Sequence, residues 1–260
     1  MSAHWLLLDI GNTHTVAGLF DDRGQERHTV RFRTDPAATA DEYRMLLGQL
    51  FDEPLGQNVW ALTDRVILST VVPPLEKVAR EACLNPTKPV DFLSINRHAR
   101  REFELDLPHP EQLGADRLAN VAGALTLLEP PFLIVDAGTA TTFCLVDQRR
   151  AYIGGAIVPG LDISWKALQG RAAKLFSVEL IRPELAVGNT TETQIQSGVL
   201  QGYEALIEGM ADRLLRDARW DKASLIATGG CTRLIRLSER FRIEPDLTVL
   251  GLFRYGQLNA

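Results

Sequence analysis

The sequence predicts an α/β fold made by duplication, with a ligand cleft between the two halves. Three observations carry this expectation. Residues 6–22, LLLDIGNTHTVAGLFDD, match residues 133–149, LIVDAGTATTFCLVDQR, at an offset of 127. Later in each half a second apolar run ends in small residues, RVILSTVVPP at 65–74 and SLIATGGCTRL at 224–234. Each of these runs leads into a helical pattern, at 75–83 and 231–240, so strands alternate with helices twice over. The division between the two domains is expected at 115/116, giving residues 1–115 and 116–260.

The first hairpin sets the chemical question. Its apolar run ends on Asp9 and then passes through Gly11-Asn12-Thr13-His14-Thr15 before turning apolar again. A carboxylate at the end of a core strand costs several kcal/mol unless a neighbour or a ligand compensates it. In the ungapped match Asp9 falls on Asp136, Gly11 on Gly138, Thr15 on Thr142 and Leu19 on Val146. Both copies read as strand, tight acidic turn, strand.

Two long helical patterns complete the plan. Residues 116–128 put Leu118, Val121, Ala122, Leu125 and Leu128 on one face. Residues 192–217 carry Ile195, Val199, Leu206, Met210 and Leu214 at similar spacing, together with Gly198, Gly202 and Gly209. A glycine inside a helix costs up to about 1 kcal/mol relative to alanine. Close approach of another backbone, within the chain or across a dimer, is the expected compensation.

Composition narrows the function. Of the 260 residues, 45% are apolar and 23% charged, as in a soluble globular protein with a real core. A net charge of −5 argues against a nucleic-acid footprint, which needs a basic face. Cys83, Cys144 and Cys231 are scattered and odd in number, which suggests reduced thiols and a cytoplasmic address. The first apolar run stops at Asp9 without a basic leader, so no signal peptide is expected. No stretch approaches the roughly 18 apolar residues of a membrane span.

Two Asp-x-Gly turns facing a cleft suit a polyphosphate. Glycine lets the backbone come close, and successive N–H groups of a tight turn form an anion-binding nest. Thr13, Thr15, Thr139, Thr141 and Thr142 add hydroxyl donors. The carboxylates imply a cation between themselves and phosphate, and Mg²⁺ prefers one or two carboxylates completed by phosphate oxygens and water. The inventory is adequate for phosphoryl transfer, and the absence of G-x-x-x-x-G-K-[ST] excludes a P-loop enzyme. For the acceptor, Leu113-Gly114-Ala115-Asp116-Arg117 opens the first long helix just after LPHP (107–110). Taken locally, Asp116 reads as a helix N-cap. The same position sets an acid and an arginine beside a helix N-terminus, which suits an acidic substrate carrying a hydroxyl.

Together these segments resemble the type III pantothenate kinases. The resemblance rests on DIGNTHTV (9–16), STVVPPL (69–75), PEQLGADRLANVAGA (110–124), IVDAGTATT (134–142), YIGGAIVPGL (152–161), GNTTETQIQSG (188–198), ATGG (227–230) and LTVLGL (247–252), and so spans nearly the whole chain. It implies two duplicated ribonuclease-H-like (actin-like ATPase) domains with a central cleft. It also implies ATP-dependent phosphorylation of pantothenate to 4′-phosphopantothenate, the first step of coenzyme A synthesis. By position, Asp9, Ile10, Gly11, Asn12, Thr13, His14, Thr15 and Val16 would form the first phosphate loop, with Asp9 near Mg²⁺, and Thr139 would contact ATP. Asp136 would hold a monovalent cation, K⁺ or NH₄⁺. Gly114, Ala115, Asp116 and Arg117 would bind pantothenate, with Asp116 as proton acceptor, and Thr191 would reach the same substrate.

The resemblance further implies a homodimer whose partner subunit completes the acceptor site. One departure stands out: Leu107 occupies the place of a usual substrate-contacting Tyr, and His109 or the partner would have to replace that contact. A kinase of another sugar or small alcohol, or a non-catalytic regulator on the same fold, are the alternatives. The first explains GADR and the 188–198 segment less well, and the presence of Asp9, Asp116 and Asp136 speaks against the second.

Overall fold

The computed structural model describes residues 3–84, 88–171 and 178–260. The chain forms two compact units that are not contiguous in sequence. The first takes residues 1–103, 108–127 and 247–260; the second takes 104–107 and 128–246. The division expected at 115/116 lies at the start of a helix that stays wholly in the first unit, because its packing partner is the C-terminal helix.

The first unit is built on β1 (His4–Ile10), β2 (His14–Asp21), β3 (Glu26–Arg33), β4 (Thr63–Thr70) and β5 (Asp91–Ser94), in the order β3-β2-β1-β4-β5. The first three form an antiparallel meander, and β4 and β5 continue the sheet in parallel. Its helices are α1 (Ala40–Leu55), α2 (Val59–Leu62), α3 (Pro73–Cys83), α4 (Ala115–Leu127) and the C-terminal helix. On β1, Leu6, Leu8 and Ile10 join a core with Tyr43, Leu47 and Phe51 of α1 and Leu75 and Ala79 of α3. The alternate residues Trp5 and Leu7 are also buried. The strand therefore reads as an unbroken apolar run, as a strand covered on both faces must.

The second unit repeats this plan. Its strands are β6 (Glu104–Leu105), β7 (Phe132–Ala137), β8 (Ala140–Val146), β9 (Ala151–Pro159), β10 (Ser224–Thr228) and β11 (Phe241–Ile243). Their order, β11-β10-β7-β8-β9-β6, has the strand order and polarity of the first sheet plus one edge strand, β6, parallel to β9. Two helices follow the meander, α5 (Leu161–Arg171) and α6 (Thr191–Asp217), and α7 (Leu247–Leu258) ends the chain in the first unit. Leu133, Val135, Phe143 and Leu145 pack on Leu200, Tyr203, Ile207 and Ala211 of α6.

Two sequence expectations need correcting here. The helix expected at 231–240 is only a 3-10 turn, Gly230–Arg233. The backbone N–H groups beyond it are claimed by carboxylates of α6, Arg236 N donating to Glu204 and Ser238 N to Glu208. The core face of α6 is also rotated from the expected one: Leu200, Tyr203, Ile207 and Ala211 are buried, while Leu206 is exposed. Three polar residues share the buried face because each is satisfied. Glu204 takes a two-pronged ion pair from Arg182, and Gln196 and Ser197 donate to the carbonyls of Glu179 and Ala186. A Cβ built on Gly198, Gly202 or Gly209 meets nothing, so no backbone within the described residues explains these glycines.

The C-terminal helix is fixed to the first sheet by close packing and by one buried arginine. α4 and α7 cross where a Cβ at Gly123 would lie 2.3 Å from the Leu247 carbonyl oxygen and one at Gly251 would lie 1.8 Å from that of Ala119. Arg65 on β4 donates to the carbonyls of Gly256 and Asn259 at 2.7 and 2.5 Å, and pairs with Asp91 at 2.7 Å. These are the orphan carbonyls that every helix end leaves. Arg65→Met is expected to cost about 2–3 kcal/mol, by stranding those two carbonyl acceptors; the Asp91 carboxylate it leaves behind is exposed. A lowered urea midpoint with an unchanged m-value checks it.

Candidate active site

Each sheet ends in a tight hairpin turn beyond the carboxyl end of its central strand, the edge at which open α/β sheets bind ligands. In the first unit, Asp9 pairs with Val16 across the hairpin and with Ser69 on β4. Gly11 N donates to His14 O at 3.1 Å and closes the turn. The Thr13 carbonyl accepts from Thr34 N at 2.9 Å, which ties the loop to the chain just after β3. Thr15 is fully buried, its hydroxyl 3.0 Å from that of Thr34 and 3.5 Å from that of Tyr43 on α1. Asp9 is half-buried and Asn12 and His14 are exposed, so the loop offers polar groups at the surface of a fixed turn.

The second turn has the same construction with one residue fewer. Asp136 pairs with Thr142 and with Thr228 on β10. Gly138 N closes the turn on Ala140 O at 3.2 Å, and the Thr139 carbonyl accepts from Gly160 N at 3.2 Å, just after β9. Thr141 is fully buried and its hydroxyl bonds that of Tyr203 on α6. Thr13 therefore corresponds to Thr139, Thr15 to Thr141 and Leu19 to Leu145, and Asn12 is the extra residue of the first loop. The ungapped match, which set Thr15 on Thr142 and Leu19 on Val146, slips by one after the glycine. Hydrogen-bond register, not residue identity, fixes the correspondence.

Other quoted motifs pack around these turns. In the first unit, Val71 N donates to Ile10 O at 3.1 Å, which docks STVVPPL against the end of the Asp9 strand. The paired prolines then start α3, where a missing N–H costs nothing. Val71 also approaches GADR: a Cβ on Gly114 would lie 3.5 Å from Val71 Cγ1 and 2.4 Å from Asp116 Oδ1. Asp116 sits in the first turn of α4 and accepts the N–H of Arg117 at 2.8 Å. It is thus one residue inside the helix, and the N-cap position belongs to Gly114. The helix N-terminus favours the negative charge, and glycine leaves the space the carboxylate occupies. Ala115 and Arg117 are half-buried beside it.

In the second unit, a Cβ on Gly160 would lie 2.3 Å from Thr139 O. One on Gly229 would lie 2.5 Å from Asp136 Oδ1 and 2.6 Å from the Ala137 carbonyl. Gly229 also has φ +94°, open only to glycine. Neither Gly160 in YIGGAIVPGL nor Gly229 in ATGG carries a role in the sequence analysis above; the signal for both is a glycine after a strand. Thr191 is exposed at the first turn of α6, after the N-cap Thr190, and Gly188 lets the preceding chain lie against the Thr193–Gln194 backbone. Leu107 is half-buried next to β6, and exposed His109 pairs with Glu111 at 3.2 Å.

A family model for type III pantothenate kinases matches residues 5–213. The chain belongs to the type III pantothenate kinase family. It is accordingly a kinase that transfers phosphate from ATP to pantothenate. Solved structures with the same fold include a Campylobacter jejuni protein described as a Baf family transcriptional activator, 18% identical, covering 97% of both chains with a TM-score of 0.60. A Sinorhizobium meliloti protein described as a 2-dehydro-3-deoxygalactonokinase is 13% identical over 97% of this chain and 98% of its own, TM-score 0.57. MreB 5 of Spiroplasma citri, bound to AMPPNP, is 13% identical over 96% and 95%, TM-score 0.51. At these identities the likeness speaks for the fold alone, which is that of the actin-like ATPases and sugar kinases.

No helix among the described residues is long and apolar enough to cross a membrane. For Gly229→Ala, a strained φ and a clash with the Ala137 backbone as well as with the Asp136 carboxylate are expected to cost about 1–3 kcal/mol. A lowered denaturation midpoint checks it.

Proposed function

We propose that the candidate residues described above divide the kinase reaction between them. Asp9 to Val16 form the first phosphate loop and Thr139 belongs to the second. Gly114 to Arg117 bind pantothenate, Arg117 gripping its carboxylate with parallel hydrogen bonds, and Thr191 reaches the same substrate. Asp116 takes the proton of the primary hydroxyl. The hydroxyl oxygen then bonds the γ-phosphorus of ATP as the bond to the β,γ-bridging oxygen breaks, yielding 4′-phosphopantothenate and ADP and opening coenzyme A synthesis. The observation that carries this reading is the convergence in the first unit. Val71 is bonded to the end of the Asp9 strand and lies beside Gly114, whose missing side chain makes room for the Asp116 carboxylate.

The donor set suits the cations the resemblance implies. Among the described residues there is no group of three His, Cys, Asp or Glu side chains that could hold an ion by themselves. Single aspartates beside glycine turns instead suit ions that take phosphate oxygens, carbonyls and water for the rest of their shell. On this reading Asp9 holds Mg²⁺ against the phosphates and Asp136 a monovalent cation, K⁺ or NH₄⁺. Such cations neutralise charge on the transferring phosphoryl group. The exposed glycines of α6, without a partner backbone among the described residues, favour a homodimer that completes the acceptor site and supplies what Leu107 lacks. A cytoplasmic address goes with the free cysteines.

Purified protein with Mg²⁺-ATP, K⁺ and pantothenate is expected to release ADP, and to slow when K⁺ is withheld. Equal ADP release without pantothenate would count against the reading. Asp116→Asn should keep the fold and lose about 10²–10⁴-fold in turnover. Gly114→Ala tests the same carboxylate from outside. Its Cβ meets the movable Asp116 carboxylate, so the fold should persist with only the modest loss of stability that alanine brings at an N-cap, while kcat falls by on the order of 10²-fold. Near-normal turnover of either variant would return Asp116 to a structural role at the helix end.

A further inference from the structure

Two buried tyrosines occupy corresponding places in the two units, and no step described so far uses them. Tyr43 lies on α1, the helix that follows the first meander; Tyr203 lies on α6, which follows the second. They are 2% and 6% exposed. Each points its hydroxyl at the buried threonine two residues past the carbonyl that anchors its loop, Thr15 after Thr13 and Thr141 after Thr139. Each also stands within electrostatic reach of its unit's turn aspartate, Tyr43 of Asp9 and Tyr203 of Asp136. Burial, opposed by the threonine bond and at Tyr203 also by a hydrogen bond with the Leu161 backbone, pushes both phenols up to about 12, so both remain neutral.

Packing alone does not account for this arrangement. A phenylalanine would fill either position without bringing a hydroxyl into an apolar core, which is costly unless the group is bonded. The cost is met twice, at corresponding positions, by the same kind of partner. A duplicated core would keep shape by using any residue of similar volume; a duplicated hydrogen bond keeps a geometry. What it holds is the strand leaving the turn, immediately after the residues that would face phosphate.

We propose that Tyr203 is a positioning residue that ties the second phosphate loop to the helix carrying Thr191, with Tyr43 as its weaker counterpart on the first loop. The proposal rests on the pantothenate kinase reading for the role of Thr191, and on ATP binding for that of the loop. Tyr203 and Thr191 share one continuous helix, so a shift of the 137–142 turn on nucleotide binding is transmitted to the acceptor end of α6 through the Thr141–Tyr203 bond. The first unit has a longer bond, 3.5 Å, and Thr15 has a second partner in Thr34 at 3.0 Å. Losing Tyr43's hydroxyl therefore disturbs less than losing Tyr203's.

The test uses the full-length enzyme and the variants Tyr203→Phe, Thr141→Val, their double and Tyr43→Phe. Nucleotide affinity is read first, with a fluorescent ATP analogue and no pantothenate. Tyr203→Phe should weaken it by on the order of 2–10-fold, the worth of one hydrogen bond. Thr141→Val should weaken it by no more than that, since the Tyr203 hydroxyl keeps its bond with the Leu161 backbone, and the double should be no worse than Tyr203→Phe alone. In turnover, KM for both substrates should rise with kcat nearly unchanged, and the improvement of pantothenate affinity by a non-hydrolysable ATP analogue should shrink. Tyr43→Phe should give the smaller change in each. Unchanged nucleotide affinity and unchanged KM, with only a lower melting temperature, would overturn the proposal and leave Tyr203 a core residue. If the wild-type protein released no ADP in response to pantothenate, the functional reading would fail instead, and the nucleotide measurement would still decide the loop's dependence on Tyr203.

Discussion

The structure depends on a constraint at two points: a fully covered central strand must end on a carboxylate without leaving backbone groups stranded. Each unit meets it with the same three bonds. A glycine N–H closes the turn on the carbonyl opposite, the carbonyl between them accepts from the chain after the third strand, and a buried threonine hydroxyl bonds a tyrosine on the covering helix. The turn's internal hydrogen bonds are thereby satisfied within the fold, and Asp9 or Asp136 is left at the strand end with polar, partly exposed neighbours. A turn fixed in this way is tied to the helix that covers its sheet, α1 in the first unit and α6 in the second.

Glycine does most of the remaining positioning, and it does so by what it lacks. Gly160 and Gly229 let two further segments lie against the second turn, and Gly114 leaves the volume that the Asp116 carboxylate fills. Gly123 and Gly251 let α4 and α7 cross so closely that the C-terminal helix belongs to the first unit although the chain has passed through the whole second unit in between. Arg65 then completes the end of α7 from the first sheet. The site residues of the first unit therefore stand on a sheet held by the last residues of the chain.

Much of this was legible in the residues. The duplicated Asp-x-Gly hairpin, the strand runs at 65–74 and 224–234, and the two long helices follow from periodicities of 2 and 3.6 and from glycine after an apolar run. The phosphate-loop candidates and GADR were legible because their motifs demand unusual residue types at fixed spacing. Three features were not. The one-residue deletion in the second loop is hidden because threonines stand at 139, 141 and 142, so several alignments look alike. The buried face of α6 contains Gln196, Ser197 and Glu204, which a hydrophobicity pattern assigns to solvent; only their partners on other segments make them core residues. The absent helix after 233 depends on carboxylates of Glu204 and Glu208, some thirty residues away, taking its N–H groups.

By itself the sequence determined which reactive groups are present and in what order: an aspartate-glycine turn twice over, and an acid and an arginine opening a helix. These are consequences of which side chains exist and how far apart they stand along the chain. Tertiary structure alone decided which groups correspond between the halves, which helix face is buried, where Asp116 points, and that Tyr43 and Tyr203 hold equivalent threonines. Those outcomes turn on hydrogen bonds and close approaches between residues distant in the chain, and a backbone carbonyl that accepts from a distant N–H leaves no mark on the sequence at either end.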